Sequence, residues 1–204
     1  MLKNNSSSYS DESNKYKFLK RQEICSNSRF DVFFDHVISP DKLNIEDFLI
    51  VKPKISTIDQ IVGVCIIPMF NDKFYLMRGW RHQFNKDIYQ APAGFIESGE
   101  SPEDTALREL EEETSLSCSK SNLIKLGSYL PDAGLIEGKV ALFLAKSCIK
   151  SQKNKQLEIG SSKVYSFTKS DLINLLFNES LIGGSTLVSC YRALFYLDNL
   201  LKNH

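Results

Sequence analysis

The order of extended and helical segments in this 204-residue chain predicts an α/β sandwich: a mixed sheet with flanking helices, preceded by antiparallel strands. Three observations carry that reading. Apolar, β-branched runs broken by turn residues fill the first half, an acidic segment with a helix-start signature follows, and two helical patterns close the chain. No internal repeat or heptad run competes with it. A composition of 42% hydrophobic and 25% charged residues suits one domain of ordinary size with a buried core.

Residues 1–22, MLKNNSSSYSDESNKYKFLKRQ, are rich in Ser, Asn and Lys and have little to bury, so they are expected to form a flexible tail. The single domain then covers 23–204, with its N-terminal strands at about 28–60. Phe30 to Ile38 sets Phe30, Val32, Phe34 and His36 on one side of an extended chain, and Phe48 to Val51 is its apolar partner beyond the turn Ser39-Pro40-Asp41. Ile61 to Met69 is a nearly continuous apolar run, and Phe74 to Met77 returns after Asn71-Asp72, which predicts a hairpin at the start of the buried sheet.

Ser101-Pro102-Glu103-Asp104 reads as a helix start, with Ser101 at N-cap, Pro102 at N1 and an acid three residues after the cap. From Pro102 to about Thr114, Ala106, Leu107 and Leu110 supply the apolar stripe. Beyond it come a strand at Ile124 to Tyr129, a loop from Pro131 to Gly138 and a strand at Lys139 to Ala145, where Val140 to Leu144 suit burial on both faces. Lys163 to Phe167 is a further strand. Ser170 to Phe177 and Ser185 to Leu201 are the closing helices, the second with Leu187, Tyr191, Leu194 and Leu201 on one side.

Lys plus Arg and Asp plus Glu both number 25, so no global charge attracts nucleic acid or an anionic membrane. Five cysteines, at 25, 65, 118, 148 and 190, are scattered without a CxxC pair, which argues against a disulfide framework and a zinc site and for buried reduced thiols. The N-terminus lacks an apolar signal core, and Ile61 to Phe70 is too short to span a bilayer, so a cytoplasmic protein is expected.

The predicted acidic helix carries the chemistry. Glu109 and Glu113 lie one turn apart, Glu112 stands three residues from Glu109, and like charges so placed destabilise an isolated helix by a few tenths of a kcal/mol per pair. Three carboxylates on one face call for a counter-cation, and hard oxygen donors suit Mg²⁺, with Mn²⁺ as a substitute. A solvated acidic face is the commoner meaning of such a run taken alone. The spacing around it points to function: Gly94, Glu100, then Arg108-Glu109-Leu110-Glu111-Glu112-Glu113 and the apolar Leu116.

This pattern resembles the Nudix box, from which only Ser115, in place of a Gly, departs. The resemblance extends weakly over 28–200 and implies a Nudix-type α/β/α sandwich and divalent-metal hydrolysis of a diphosphate linked to a nucleoside. It adds the main-chain carbonyl of Ala93 to the metal ligands Glu109, Glu112 and Glu113, and makes Arg108 a support for a box carboxylate. Gly94 is read as allowing close backbone approach to the metal. Ser115 would adopt the left-handed conformation at a cost on the order of 1 kcal/mol.

The flanks Tyr75-Leu-Met-Arg78-Gly-Trp80-Arg81 and Tyr89-Gln-Ala-Pro-Ala-Gly94 resemble the ADP-ribose and nucleotide-sugar pyrophosphatase branch, with Arg81 thirteen residues before Gly94. Pro131, sixteen residues after Ser115, and Gly134 resemble that branch's loop, although Leu130-Pro131-Asp132-Ala133-Gly134 stands where Ser-Pro-Gly is usual. The resemblance implies substrate contacts at Arg81 and the Pro131 to Gly134 loop, with Trp80 stacking on a base or anchoring an interface or core. A water-activating carboxylate is expected in a loop beyond the box: Glu137 first, with Glu158 and the box residue Glu100 as alternatives. His36 and His82 are not expected to be ligands. ADP-ribose or a related nucleoside diphosphate sugar is the expected substrate, a UDP- or GDP-sugar or a catalytically silent nucleotide-binding domain the alternatives, and related enzymes lead us to expect a homodimer.

Overall fold

A computed structural model describes residues 15–151 and 163–202, the side chains of 201 and 202 excepted. The chain divides into two compact units, one comprising residues up to Lys54 together with Gly134–Glu137, the other Ile55–Ala133 with Gly138 onward.

The first unit is an antiparallel sheet of β1 (Lys17–Ser26), β2 (Phe30–Ile38) and β3 (Asn44–Pro53), ordered β1-β2-β3. Strand β1 corrects the expected tail, which was drawn through residue 22; residues 1–14 lie outside the described residues. All ten of its residues are exposed, so apolar burial does not order it. Its main chain pairs with β2 instead, and Arg21 forks onto the buried Asp35 with two bonds of 2.7 Å while lying 4.8 Å over the Phe33 ring. The segment Gly134–Glu137 clips onto β3: Val51 N–H donates to Leu135 O at 2.8 Å and Glu137 N–H to Val51 O at 3.0 Å.

The second unit is built on β4 (Ile61–Phe70), β5 (Lys73–Arg81), β6 (Lys86–Gln90), β7 (Ala93–Phe95), β8 (Leu116–Ser117), β9 (Leu123–Tyr129), β10 (Lys139–Ala145), β11 (Ile149–Lys150) and β12 (Lys163–Phe167). Helices α1 (Pro102–Thr114), α2 (Lys169–Asn178) and α3 (Gly184–Lys202) complete it. The main sheet runs β12-β5-β4-β10-β9, with β6 on β5 and β7 on β4; β4 and β10 are parallel and the other pairs antiparallel, so the sheet is mixed.

The period-two pleat sorts the core into two layers. Cys65 and Ile67 of β4 and Leu142 and Leu144 of β10 pack with Leu172 and Leu176 of α2 and with Cys190, Ala193 and Leu194 of α3. Val64, Ile66, Ala141, Phe143 and Ala145 pack instead with Ala106 and Leu110 of α1. Helices cover both faces, which is the expected α/β/α sandwich. Helix α2 starts one residue earlier than expected because Thr168 and Asp171 form a capping box. On α3 the expected stripe needs correction: Tyr191 is exposed, and the core-facing row is Leu187, Cys190, Ala193, Leu194 and Leu197, at helical spacing. The expected contribution of the Leu201 side chain lies outside the described residues. Among the described residues no helix is long and apolar enough to cross a membrane.

Candidate active site

Helix α1 begins as its sequence demands. Ser101 Oγ accepts the Asp104 N–H at 3.2 Å, Pro102 occupies the first turn, and Glu103 and Asp104 sit where a helix dipole favours acids. Ala106 and Leu110 anchor its inner face, and that fixes where the remaining residues project. It ends at Ser115, which is left-handed (φ 57°, ψ 28°) and returns its N–H to Glu111 O at 3.0 Å.

Glu109 sits on the buried edge of this helix, 8% exposed. A buried carboxylate needs partners and room. The room comes from Gly94 on β7: a Cβ there would fall 1.8 Å from Glu109 Oε1 and 2.1 Å from Cδ. The glycine therefore admits a carboxylate, where its absent side chain had been expected to admit a metal. β4 makes a matching concession, since a Cβ on Gly63 would lie 2.8 Å from Gly94 O.

Arg108 supplies the main positive partner. Its Nε donates to Glu100 Oε1 at 2.9 Å and Nη2 to Glu100 Oε2 at 3.1 Å, while Nη1 donates to Glu109 Oε1 at 2.8 Å and Glu112 Oε2 at 3.1 Å. The planar fork thus grips one acid and aims two others. Thr105 Oγ1 donates to Glu100 Oε2 at 2.7 Å. Bonding to Arg108, and then to Thr105, holds the Glu100 pKa below its ordinary value against the opposing effect of burial. Bonding to Glu100 raises that of Arg108 in turn, so the pair stays charged.

Glu113 is held from β7, its Oε2 accepting the Ala93 N–H at 2.8 Å. Pro92 O accepts from Ile66 N–H and Ile96 N–H donates to Val62 O, so residues 92, 94 and 96 face β4 and both main-chain groups of Ala93 turn away from it. The Ala93 carbonyl consequently lies on the side of the strand that meets Glu113.

Among the described residues no three acidic, thiol or imidazole groups converge as a metal-binding cluster. The donor chemistry fits a hard divalent ion: three carboxylates on adjoining turns of one helix, and a carbonyl turned the same way as the N–H that Glu113 binds.

The other expected site residues lie on other elements. Arg81, at the end of β5, donates from Nη2 to Gln90 Oε1 on β6, and Trp80 beside it is 50% exposed, which excludes a core anchor. Arg78 lies 5.4 Å over the Tyr89 ring. Pro131 is exposed in the second unit, whereas Gly134 and Glu137 belong to the first. Glu137 pairs there with Lys52 at 3.1 Å and Arg21 at 3.5 Å. Glu158 lies outside the described residues. His36 Nε2 is hydrogen-bonded to Asn44 Oδ1, and His82 opens the 3-10 turn His82–Phe84. Thr105, a partner of Glu100, and the Phe95 carbonyl, 3.4 Å from Arg108 Nη2, went unread, because a neutral hydroxyl and a main-chain oxygen leave no mark in a sequence pattern.

A capped helix lays three carboxylates and an arginine fork beside a glycine strand, on one face of an α/β/α sandwich, as the resemblance to the Nudix box led us to expect. Residues 59–152 match the NUDIX domain family. It is 27% identical to the ADP-ribose pyrophosphatase of Bacillus subtilis (strain 168) over 143 residues, 70% of this chain and 72% of that protein. It is 33% identical to a methanol dehydrogenase activator of Bacillus methanolicus over 120 residues, 58% of this chain and 60% of that protein. The crystal structure of an ADP compounds hydrolase has the same fold, with a TM-score of 0.74 and 17% identity over 91% of this chain and 96% of that one.

Proposed function

We propose that this protein hydrolyses the diphosphate bond of ADP-ribose or a related nucleoside diphosphate sugar, releasing a nucleoside monophosphate and a sugar phosphate. The observation that carries the reading is the arginine-held carboxylate set of α1 over Gly94. Similarity to an ADP-ribose pyrophosphatase over most of both chains supports the substrate class. A UDP- or GDP-sugar is the second reading.

Glu109, Glu112, Glu113 and the Ala93 carbonyl would hold Mg²⁺, or Mn²⁺ in its place. Such an ion neutralises a diphosphate and lowers the pKa of a bound water. Arg108 aims Glu109 and Glu112, and Glu100 fixes Arg108. We assign Arg81 to the diphosphate, with Trp80, Pro131 and Gly134 lining the substrate, and Glu137 to water activation, Glu158 and Glu100 being the alternatives. Arg108 holds both oxygens of Glu100, and Lys52 and Arg21 pair with those of Glu137. We also propose a homodimer, supported by the fully exposed β1 with Phe18, Leu19 and Ile24 at its surface.

A steady-state comparison of ADP-ribose, ADP-glucose, UDP-glucose and GDP-mannose with Mg²⁺ tests the assignment. ADP-ribose should show the highest kcat/KM and yield AMP and ribose 5-phosphate; a preference for a uridine or guanosine sugar overturns it. On the best substrate, Glu137→Gln should lower kcat with little change in KM, and wild-type turnover would remove Glu137 from the reaction.

A further inference from the structure

Just beyond α1, the short ribbon of β8 and β11 brings two cysteines together. The antiparallel register pairs Ser117 with Ile149 and Leu116 with Lys150, and one further step sets Cys118 opposite Cys148. Ser151 N–H donates to Ser115 O at 2.9 Å, so the position of 115 and 151 is hydrogen-bonded across the ribbon. Hydrogen-bonded and non-hydrogen-bonded positions alternate along an antiparallel ladder, which makes 118 and 148 a non-hydrogen-bonded pair. At such positions facing Cα atoms approach to about 4.5 Å, inside the roughly 4.4–6.8 Å that a disulfide spans.

The side chains agree with the register. The two thiols are neighbours, Cys148 buried and Cys118 half-exposed. Cys118 Sγ lies 3.3 Å from the carbonyl oxygens of Ser119 and of Lys146, and Cys148 Sγ lies 3.3 Å from Ala145 O, so neutral thiols have acceptors while reduced. Contact with Cys148 lowers the pKa of Cys118, and the same contact, with burial, raises that of Cys148. Cys118 is thus both the reachable thiol and the one that ionises first.

We infer that Cys118 and Cys148 are an oxidation site, in which a hydroperoxide converts the facing thiols into an intramolecular disulfide that cross-links the two strands of the ribbon just beyond α1. In the first step the Cys118 thiolate attacks the peroxide, forming a sulfur–oxygen bond as the oxygen–oxygen bond breaks; sulfur is oxidised to sulfenic acid and the peroxide is reduced to an alcohol or water. In the second step Cys148 sulfur attacks Cys118 sulfur, and hydroxide leaves with the Cys148 proton as water. The cross-link lies just beyond the end of α1, where Ser151 bonds the Ser115 carbonyl through its N–H and the Glu111 carboxylate through its hydroxyl. Cross-linking would hold that attachment against fraying.

Peptide mapping of the full chain under non-reducing conditions, after graded hydrogen peroxide, tests this independently of hydrolysis. We expect a Cys118–Cys148 cross-linked peptide to accumulate while the buried Cys65 and Cys190 stay free. In Cys148→Ser the link should be replaced by a dimedone adduct on Cys118, and oxidised wild type should melt above its reduced form, a shift absent from Cys118→Ser and Cys148→Ser. Complete oxidation of the exposed Cys25 with Cys118 and Cys148 still free would overturn the proposal. So would modification of wild-type Cys118 without linkage to Cys148, or a linked protein with an unchanged melting temperature.

Discussion

Gly94 shows how one missing side chain organises the site. Because a Cβ would stand 1.8 Å from Glu109 Oε1, Gly94→Ala must push the carboxylate away from Arg108 Nη1 or part β7 from α1. Overpacking of this kind costs typically about 1–3 kcal/mol. Thermal denaturation should show that loss, and activity should fall further than stability alone explains, because the displaced group is the one the fork aims. Retention of both would mean that Glu109 does not need its present position. The glycine was marked by the spacing of the box, but its reason was not legible: a sequence pattern records that no side chain is tolerated and not which atom occupies the space. Arg108 was legible as a support; that Glu100 supports it in turn depends on a fold-back from the loop before Ser101 onto the helix.

Helix α1 was the most legible element, since its cap and its proline are local signals, and Ala106 and Leu110 of the expected stripe enter the core, although Leu107 is only partly buried. Its other end carries a strained departure. Ser115 is left-handed, a conformation that glycine adopts without a Cβ penalty, so Ser115→Gly should stabilise the protein by up to about 1 kcal/mol. That corresponds to a melting temperature roughly 2–4 °C higher for a chain of this size. A melting temperature that fell would show that the serine side chain contributes more than its backbone strain costs. Strand β1 was illegible for the opposite reason. Lys17, Lys20, Arg21 and Glu23 carry the composition of a solvated segment, and what makes the strand is pairing with β2 and the Arg21–Asp35 fork, which joins residues 14 positions apart. Tyr191 misled because an amphipathic aromatic suits either side of a helix boundary.

At the scale of the whole molecule, the sandwich was predictable because β4 and β10 are apolar on both faces and the helices that cover them are spaced along the chain as layers require. The division into two units was not, since it rests on Gly134–Glu137 joining β3 through main-chain bonds that no side-chain pattern announces. A three-stranded sheet with Phe18, Leu19, Ile24 and Leu49 exposed is expected to be covered by a second copy. Light scattering at micromolar concentration should report a dimer, and Phe18→Glu should shift it toward monomer; an active monomer would remove the homodimer from the account. The central claim is that the acids of α1 hold the cation on which hydrolysis depends. Its most direct test is a Mg²⁺ titration of hydrolysis by wild type and by Glu113→Gln, with circular dichroism confirming the fold. Removing a group that only orients a metal ligand costs roughly tenfold to hundredfold, so loss of a ligand itself should weaken the response to Mg²⁺ by at least that factor while the spectrum is unchanged. Wild-type turnover by Glu113→Gln across the titration, or hydrolysis that persists in excess chelator, would contradict it.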